Sequence, residues 1–104
     1  MSKYGNIKTY TSDGLKHDSV KEANRWCELK LLQRAGKITE LERQVPFELI
    51  PKQDGERACT YVADFVYMED GKKIVEDVKG KRTEVYKIKK KLMLWRYDIK
   101  IKET

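Results

Sequence analysis

The run YVADFVYMEDGKKIVEDVKG, Tyr61 to Gly80, decides the fold. Two apolar, β-branched and aromatic segments flank Asp70-Gly71, a strong short-range hairpin signal. A tight turn centred on Asp70 and Gly71 sets Asp64 opposite Asp77 and Val62 opposite Lys79. Directly opposite side chains share a face, with Cβ atoms roughly 4.5–5.5 Å apart. Strand side chains alternate with period two, so Asp77 and Lys79 share that face as well. One patch of sheet then holds two carboxylates and one ammonium among Val62, Val66 and Val75. Like charges in opposite positions destabilise a sheet, and a cation between them would relieve the strain. A loop one residue longer or shorter would part the aspartates unless a bulge restored the phase.

The first segment is apolar on both faces. Tyr61, Ala63, Phe65 and Tyr67 fall on one, Val62 and Val66 on the other. A strand of that kind is usually central and covered, and an acid within it needs a partner. The competing reading makes Asp64 and Asp77 exposed edge charges, with Lys79 neutralising one of them.

Working outward, Gln44 to Ile50 reads as a strand with Val45, Phe47 and Leu49 alternating. Pro46 within it predicts an edge position or a bulge. Lys37 to Arg43 reads as a polar bridge and Pro51 to Arg57 as a loop. A helix begins near Ser19, where Ser19-Val20-Lys21-Glu22 forms a capping box. Its predicted apolar stripe is Val20, Ala23, Cys27 and Leu31, joined by Trp26, and Gly36 is its stop. Beyond the hairpin, Thr83 caps a second helix over about Glu84 to Arg96, with Val85, Ile88, Leu92 and Trp95 as the expected core stripe. Asp98 to Lys102 alternates like a half-exposed strand. Met1 to Lys16 is polar and carries Lys3, Lys8 and Lys16; it reads equally as a basic arm for a phosphate backbone or as a mobile terminus.

At 104 residues the chain is one domain, 1–104. Its 38% charged residues exceed the usual roughly 25%, and its net charge of +6 favours a polyanionic partner. Cys27 and Cys59 match no metal spacing, and both read as reduced core residues of a cytoplasmic protein. No signal peptide and no membrane-spanning run is visible, so no membrane partner is expected. The single histidine, His17, sits in a polar stretch with no zinc cluster, serine triad or phosphate-cradling glycine loop to join. A histidine-dependent mechanism is therefore discounted.

The order helix, three strands, helix, strand, with one acid in the second strand and an acid-x-Lys triplet in the third, resembles the PD-(D/E)xK nuclease superfamily. Asp64 matches the first acid, and Asp77-Val78-Lys79 the triplet. More narrowly, KYGN at 3–6, DSVKEA at 18–23, QVPFEL at 44–49 and EDVKG at 76–80 look like a small phage-associated group of nuclease-like, Holliday-junction-resolvase-like proteins. One departure is Ala63 where a proline often precedes the first acid. The resemblance implies an α/β (α+β), restriction-endonuclease-like domain with an αβββαβ core and a mixed sheet flanked by helices. It also implies a metal-dependent DNA endonuclease, acting on branched or recombination-intermediate DNA. Cuts paired across a junction would imply a homodimer. The backbone carbonyl of Val78 becomes a metal ligand, and the acid often found in the first helix falls on Glu22.

The residues themselves suit that chemistry. Facing Asp64 and Asp77 could share one Mg²⁺ or Mn²⁺, both of which prefer oxygen ligands. Lys79 could orient the attacking water. Glu22 has two readings, a helix cap or a carboxylate serving the metal. Lys81, Arg82, Lys87, Lys90 and Lys91, with Lys3 and Lys8, are the candidate phosphate contacts. The competing functional classes are a non-catalytic nucleic-acid-binding module and a protein-interaction subunit built on the same fold.

Overall fold

A computed structural model describes residues 8–79 and 81–104. The elements are β1 (Thr9–Tyr10), β2 (Lys16–His17), α1 (Val20–Arg34), β3 (Thr39–Ile50), β4 (Cys59–Glu69), β5 (Lys72–Asp77), α2 (Glu84–Tyr97) and β6 (Lys102–Glu103). β3 to β6 lie side by side in that order as one sheet, and β1 pairs with β2 in a separate small hairpin. The large sheet is mixed: β3–β4 and β4–β5 are antiparallel, β5–β6 parallel. The fold is thus α+β, with two helices flanking a mixed sheet.

The central hairpin forms as its turn residues dictate. Asp70 and Gly71 take φ of 53° and 76°, the left-handed pair that a two-residue turn matched to strand twist requires. The ladder runs from Glu69↔Lys72 to Phe65↔Glu76. One step further in this register sets Asp64 across from Asp77. Pro46 lies on β3, an edge strand, where a missing N–H costs no ladder bond.

Ser19 caps α1, its hydroxyl accepting from the Glu22 N–H at 3.1 Å. Gly36, at φ 78°, follows the helix end. Thr83 caps α2 in the same way through the Tyr86 N–H. Two clusters fill the core on opposite faces of the sheet. Trp26 and Leu29 of α1 pack with Ile38, Phe65 and Tyr67. Tyr86 and Met93 of α2 pack with Phe47, Leu49, Tyr61, Ala63, Val66, Val75 and Ile101.

Several expectations are corrected. The polar bridge over Lys37 to Arg43 is mostly strand, because β3 starts at Thr39 and carries Leu41 against the α1 cluster. The last strand is only Lys102–Glu103, although Ile101 just before it is buried. The stripe drawn for α1 holds in part: Ala23 and Trp26 are buried as expected, but Val20, Cys27 and Leu31 are exposed, and Glu22 and Leu29 complete the buried line. Cys27 is therefore no core residue, while Cys59 is half-buried, and both are free thiols. The α2 stripe is out of phase. Val85, Ile88 and Trp95 are exposed, Leu92 is half-buried, and Tyr86 and Met93 face the core. In both helices polar residues share the buried line, so apolar spacing alone does not fix the face.

β4 also departs from strict alternation. Ala63 packs under α2, but Phe65, two residues on, packs under α1. β3 switches in step, with Leu41 against the α1 cluster and Val45 against the α2 cluster. Gln44, between them, has φ 53° and lies opposite Asp64 in the register that pairs Arg43 with Phe65 and Val45 with Ala63. Val62, expected on a covered face, is 47% exposed.

Candidate functional site

Asp64 sits at this face switch, and the switch decides what it can reach. Its Oδ2 accepts the Val78 N–H at 2.8 Å, and its Oδ1 lies 3.5 Å from the Gln44 side-chain amide. Its charge is coupled to Glu22 on α1 and Asp77 on β5. A carboxylate on a regularly pleated strand would face one helix layer only.

Asp77 is 4% exposed. Its Oδ2 accepts from the Tyr61 hydroxyl at 2.6 Å, and its Oδ1 pairs with Lys79 Nζ at 3.2 Å. Lys79 Nζ also lies 4.0 Å from the centre of the Tyr86 ring, within cation–π range. Burial pushes both aspartates up from 3.8 to about 6, Asp64 further by its contact with Glu22 and Asp77 by the charge of Asp64. Burial and the Asp77 charge hold the Tyr61 phenol well above its usual range, so it stays a donor.

Glu22 is 5% exposed and faces two ways. Its N–H closes the cap with Ser19, and its Oε2 accepts from the Asp18 N–H at 3.3 Å. The carboxylate is thus a cap residue whose charge also acts on Asp64. Its Oε2 is 3.5 Å from Nδ1 of His17.

The structure corrects the reading of His17. It is 1% exposed, tilted against Trp26, with Nε2 3.2 Å from the Thr11 hydroxyl. Burial and the nearby Arg43 charge lower its pKa, which favours the neutral ring. Nothing in the local sequence signals this, because the burial comes from the β1–β2 hairpin folding onto α1. That hairpin takes up much of the segment expected as an arm. Thr11 and Asp13 are hydrogen-bonded in its turn, and Asp13 accepts from Trp26 Nε1 at 2.7 Å and Lys30 at 2.9 Å.

The acid next to Asp77 has a different task. Glu76 is fully buried on the α1 side, where Arg25 donates to both of its oxygens at 2.6 and 2.9 Å. Tyr67 and Thr104 complete its shell. Burial raises its pKa, but these donors outweigh it and hold the group below its usual range. Adjacent acids on opposite faces of β5 thus divide between fold and site.

The candidate phosphate contacts separate into kinds. Lys87 pairs with Glu84, while Lys90 and Arg82 both pair with Glu103. Lys81 and Lys91 are exposed, as is Lys8. Lys3 lies outside the described residues.

Among the described residues no group of three or more His, Cys, Asp and Glu side chains is arranged to hold a metal ion. The aspartate oxygens are engaged within the protein: Lys79 pairs with one Asp77 oxygen, Tyr61 with the other, and the Val78 N–H with one Asp64 oxygen. The donor chemistry nonetheless fits a hard cation, since half-buried Asp64, buried Asp77 and Glu22 offer only carboxylate oxygen.

Among the described residues no helix is long and apolar enough to cross a membrane. No curated protein and no solved structure gives a significant match to this chain. A family model described as a protein of unknown function matches residues 1–104, and the chain belongs to that family, DUF1064.

Proposed function

We propose that this protein is a divalent-metal-dependent phosphodiesterase that cleaves DNA, with Asp64, Asp77, Lys79 and Glu22 as its working residues. The observation that carries the reading is a set of coupled carboxylates: Asp64 on β4, tied to the Val78 N–H, and Asp77 on β5, paired with Lys79, with the charge of Glu22 on α1 felt at Asp64. Two of them have pKa values raised to about 6, as expected where like charges share a partly desolvated site. A partly buried, mutually repelling pair is poor design for stability alone and a common arrangement in functional sites.

Asp64 and Asp77, with the Val78 carbonyl, would hold Mg²⁺ or Mn²⁺. When bound, such an ion supplies charge neutralisation for the phosphoryl oxygens. The protein's own groups do the rest. Tyr61 fixes Asp77 by donating to Oδ2, and the Val78 N–H fixes Asp64. Lys79 is held by the Tyr86 ring after release from Asp77 and can donate to a phosphate oxygen or to the attacking water. Glu22 can accept a proton from that water.

The test is incubation with linear, nicked and four-way DNA, with Mg²⁺, Mn²⁺ or chelator. Cleavage requiring the metal and lost in Asp77→Ala supports the reading. Equal cleavage in chelator, or none under any condition beside tight DNA binding, replaces it with the binding-module reading. Cleavage confined to four-way DNA would point to junction resolution and to a dimer.

A further inference from the structure

Two clefts with cations in their walls open on either side of the first turn of α1. One, of about 240 Å³, is lined by Lys8, Lys16, Asp18, Glu22, Arg43 and Gln44. The other, of about 470 Å³, includes Lys21, Arg25, Val78 and Lys102 in its wall. Asp64 joins them, since Gln44 of the first cleft and Val78 of the second are its two neighbours.

The cations in these walls differ from those on α2. Among the described residues Lys8, Lys16 and Lys102 have no carboxylate partner, and Lys21 donates to a neutral oxygen, the Lys79 carbonyl at 3.3 Å. Arg43 donates through one terminal nitrogen to the Lys16 carbonyl at 2.7 Å, and its Nε is buried with no partner. Arg25 is excluded, because Glu76 and Glu28 take its donors. On α2, by contrast, Lys87 and Lys90 are already in ion pairs. An uncompensated cation attracts a polyanion at no cost in broken pairs, whereas a paired one must first give up its acid.

We propose that a nucleic-acid strand crosses the first turn of α1, its phosphates held by Lys8, Lys16 and Arg43 in one cleft and by Lys21 and Lys102 in the other. Asp64 then lies beneath the crossing point. This path rests on the phosphodiesterase reading and moves the contact surface from α2 to the α1 side. Recognition is of phosphates, so it carries no base preference of its own.

The experiment measures binding of fluorescently labelled duplex DNA, and of the same sequence as RNA, across a salt series with chelator present. Lys16→Ala and Lys102→Ala, one from each cleft, should each lower the slope of log affinity against log salt by roughly 0.9, and the double variant by about twice that. Lys37→Ala/Lys52→Ala, the same charge change outside both clefts, should leave the slope unchanged. The higher wild-type affinity at matched salt, for DNA or for RNA, identifies the strand. If only one cleft variant responds, or the Lys37/Lys52 pair responds equally, the crossing path is wrong while nucleic-acid binding stands. Wild-type protein with no salt-dependent binding to either probe would defeat the function itself.

Discussion

Val78 donates its backbone N–H to Asp64 Oδ2 at 2.8 Å, so the carboxylate is tied to the backbone between Asp77 and Lys79. Asparagine has the same shape and keeps an oxygen for that bond, but carries no charge. In chelator near neutral pH, Asp64→Asn should therefore melt a few degrees higher than wild type. The pH dependence has a definite sign. Both aspartates titrate near 6 in the folded protein against 3.8 ordinarily, so their contribution is most favourable at low pH and is lost as pH rises through about 6. Calorimetry from about pH 4 to pH 7 should show wild type losing stability more steeply than the variant. Equal slopes and a lower melting point for Asp64→Asn would mean the pair carries no repulsion.

Lys79 shares its ammonium between Asp77 Oδ1 and the Tyr86 ring. Lys79→Ala should lower turnover by at least about 10²-fold, the usual scale for a positioned proton-transfer group. DNA binding at low salt should persist. Parallel loss of binding and cleavage would make Lys79 a binding residue only.

Ser19 and Glu22 share one cap but can be separated. Ser19→Ala removes the acceptor for the Glu22 N–H and should cost about 1 kcal/mol of stability with little effect on turnover. Glu22→Gln can still accept from the Asp18 N–H but lacks the charge beside Asp64. Its melting point should barely move while turnover falls. Wild-type turnover in Glu22→Gln would leave this residue a cap and nothing more.

Arg25 and Glu76 make a structural pair. Glu76 is fully buried, so Arg25→Ala strands a charge and should cost about 3 kcal/mol. The folded pKa of Glu76 is depressed. The pair's stabilisation is present above the unfolded carboxylate pKa and fades as pH falls through the folded one. The melting gap between wild type and Arg25→Ala should accordingly narrow in acid. A gap that is constant with pH would show that lost packing, not charge, explains it.

α2 offers a test of helix phase. Met93 is 0% exposed and Ile88 56%. Met93→Ala should cost about 2–5 kcal/mol, and Ile88→Ser less than about 0.5. Denaturant midpoints decide it, and the reverse order would mean the helix is turned the other way.

The hairpin was legible because its information is local. Asp70-Gly71 dictates a turn, the turn dictates the register, and the register brings Asp64 to Asp77. Both helix caps were legible for the same reason, since Ser19 and Thr83 act within one turn. Helix phase was not, because Glu22 and Lys90 occupy lines that burial or ion pairing makes acceptable only in the tertiary structure. The face switch at Asp64 escaped too: it depends on Gln44 adopting a left-handed backbone, for which glutamine gives no signal. His17 became part of the site only through a hairpin that no apolar period marks.

The molecule's two indoles are placed at opposite extremes, with Trp26 8% exposed and Trp95 78%. Trp26 is stacked on Phe65 and hydrogen-bonded to Asp13 in the β1–β2 turn. A water-soluble quencher will silence Trp95 and leave the emission of Trp26. What remains is an unlabelled optical signal from the wall behind Glu22, and it responds when the β1–β2 hairpin moves against α1.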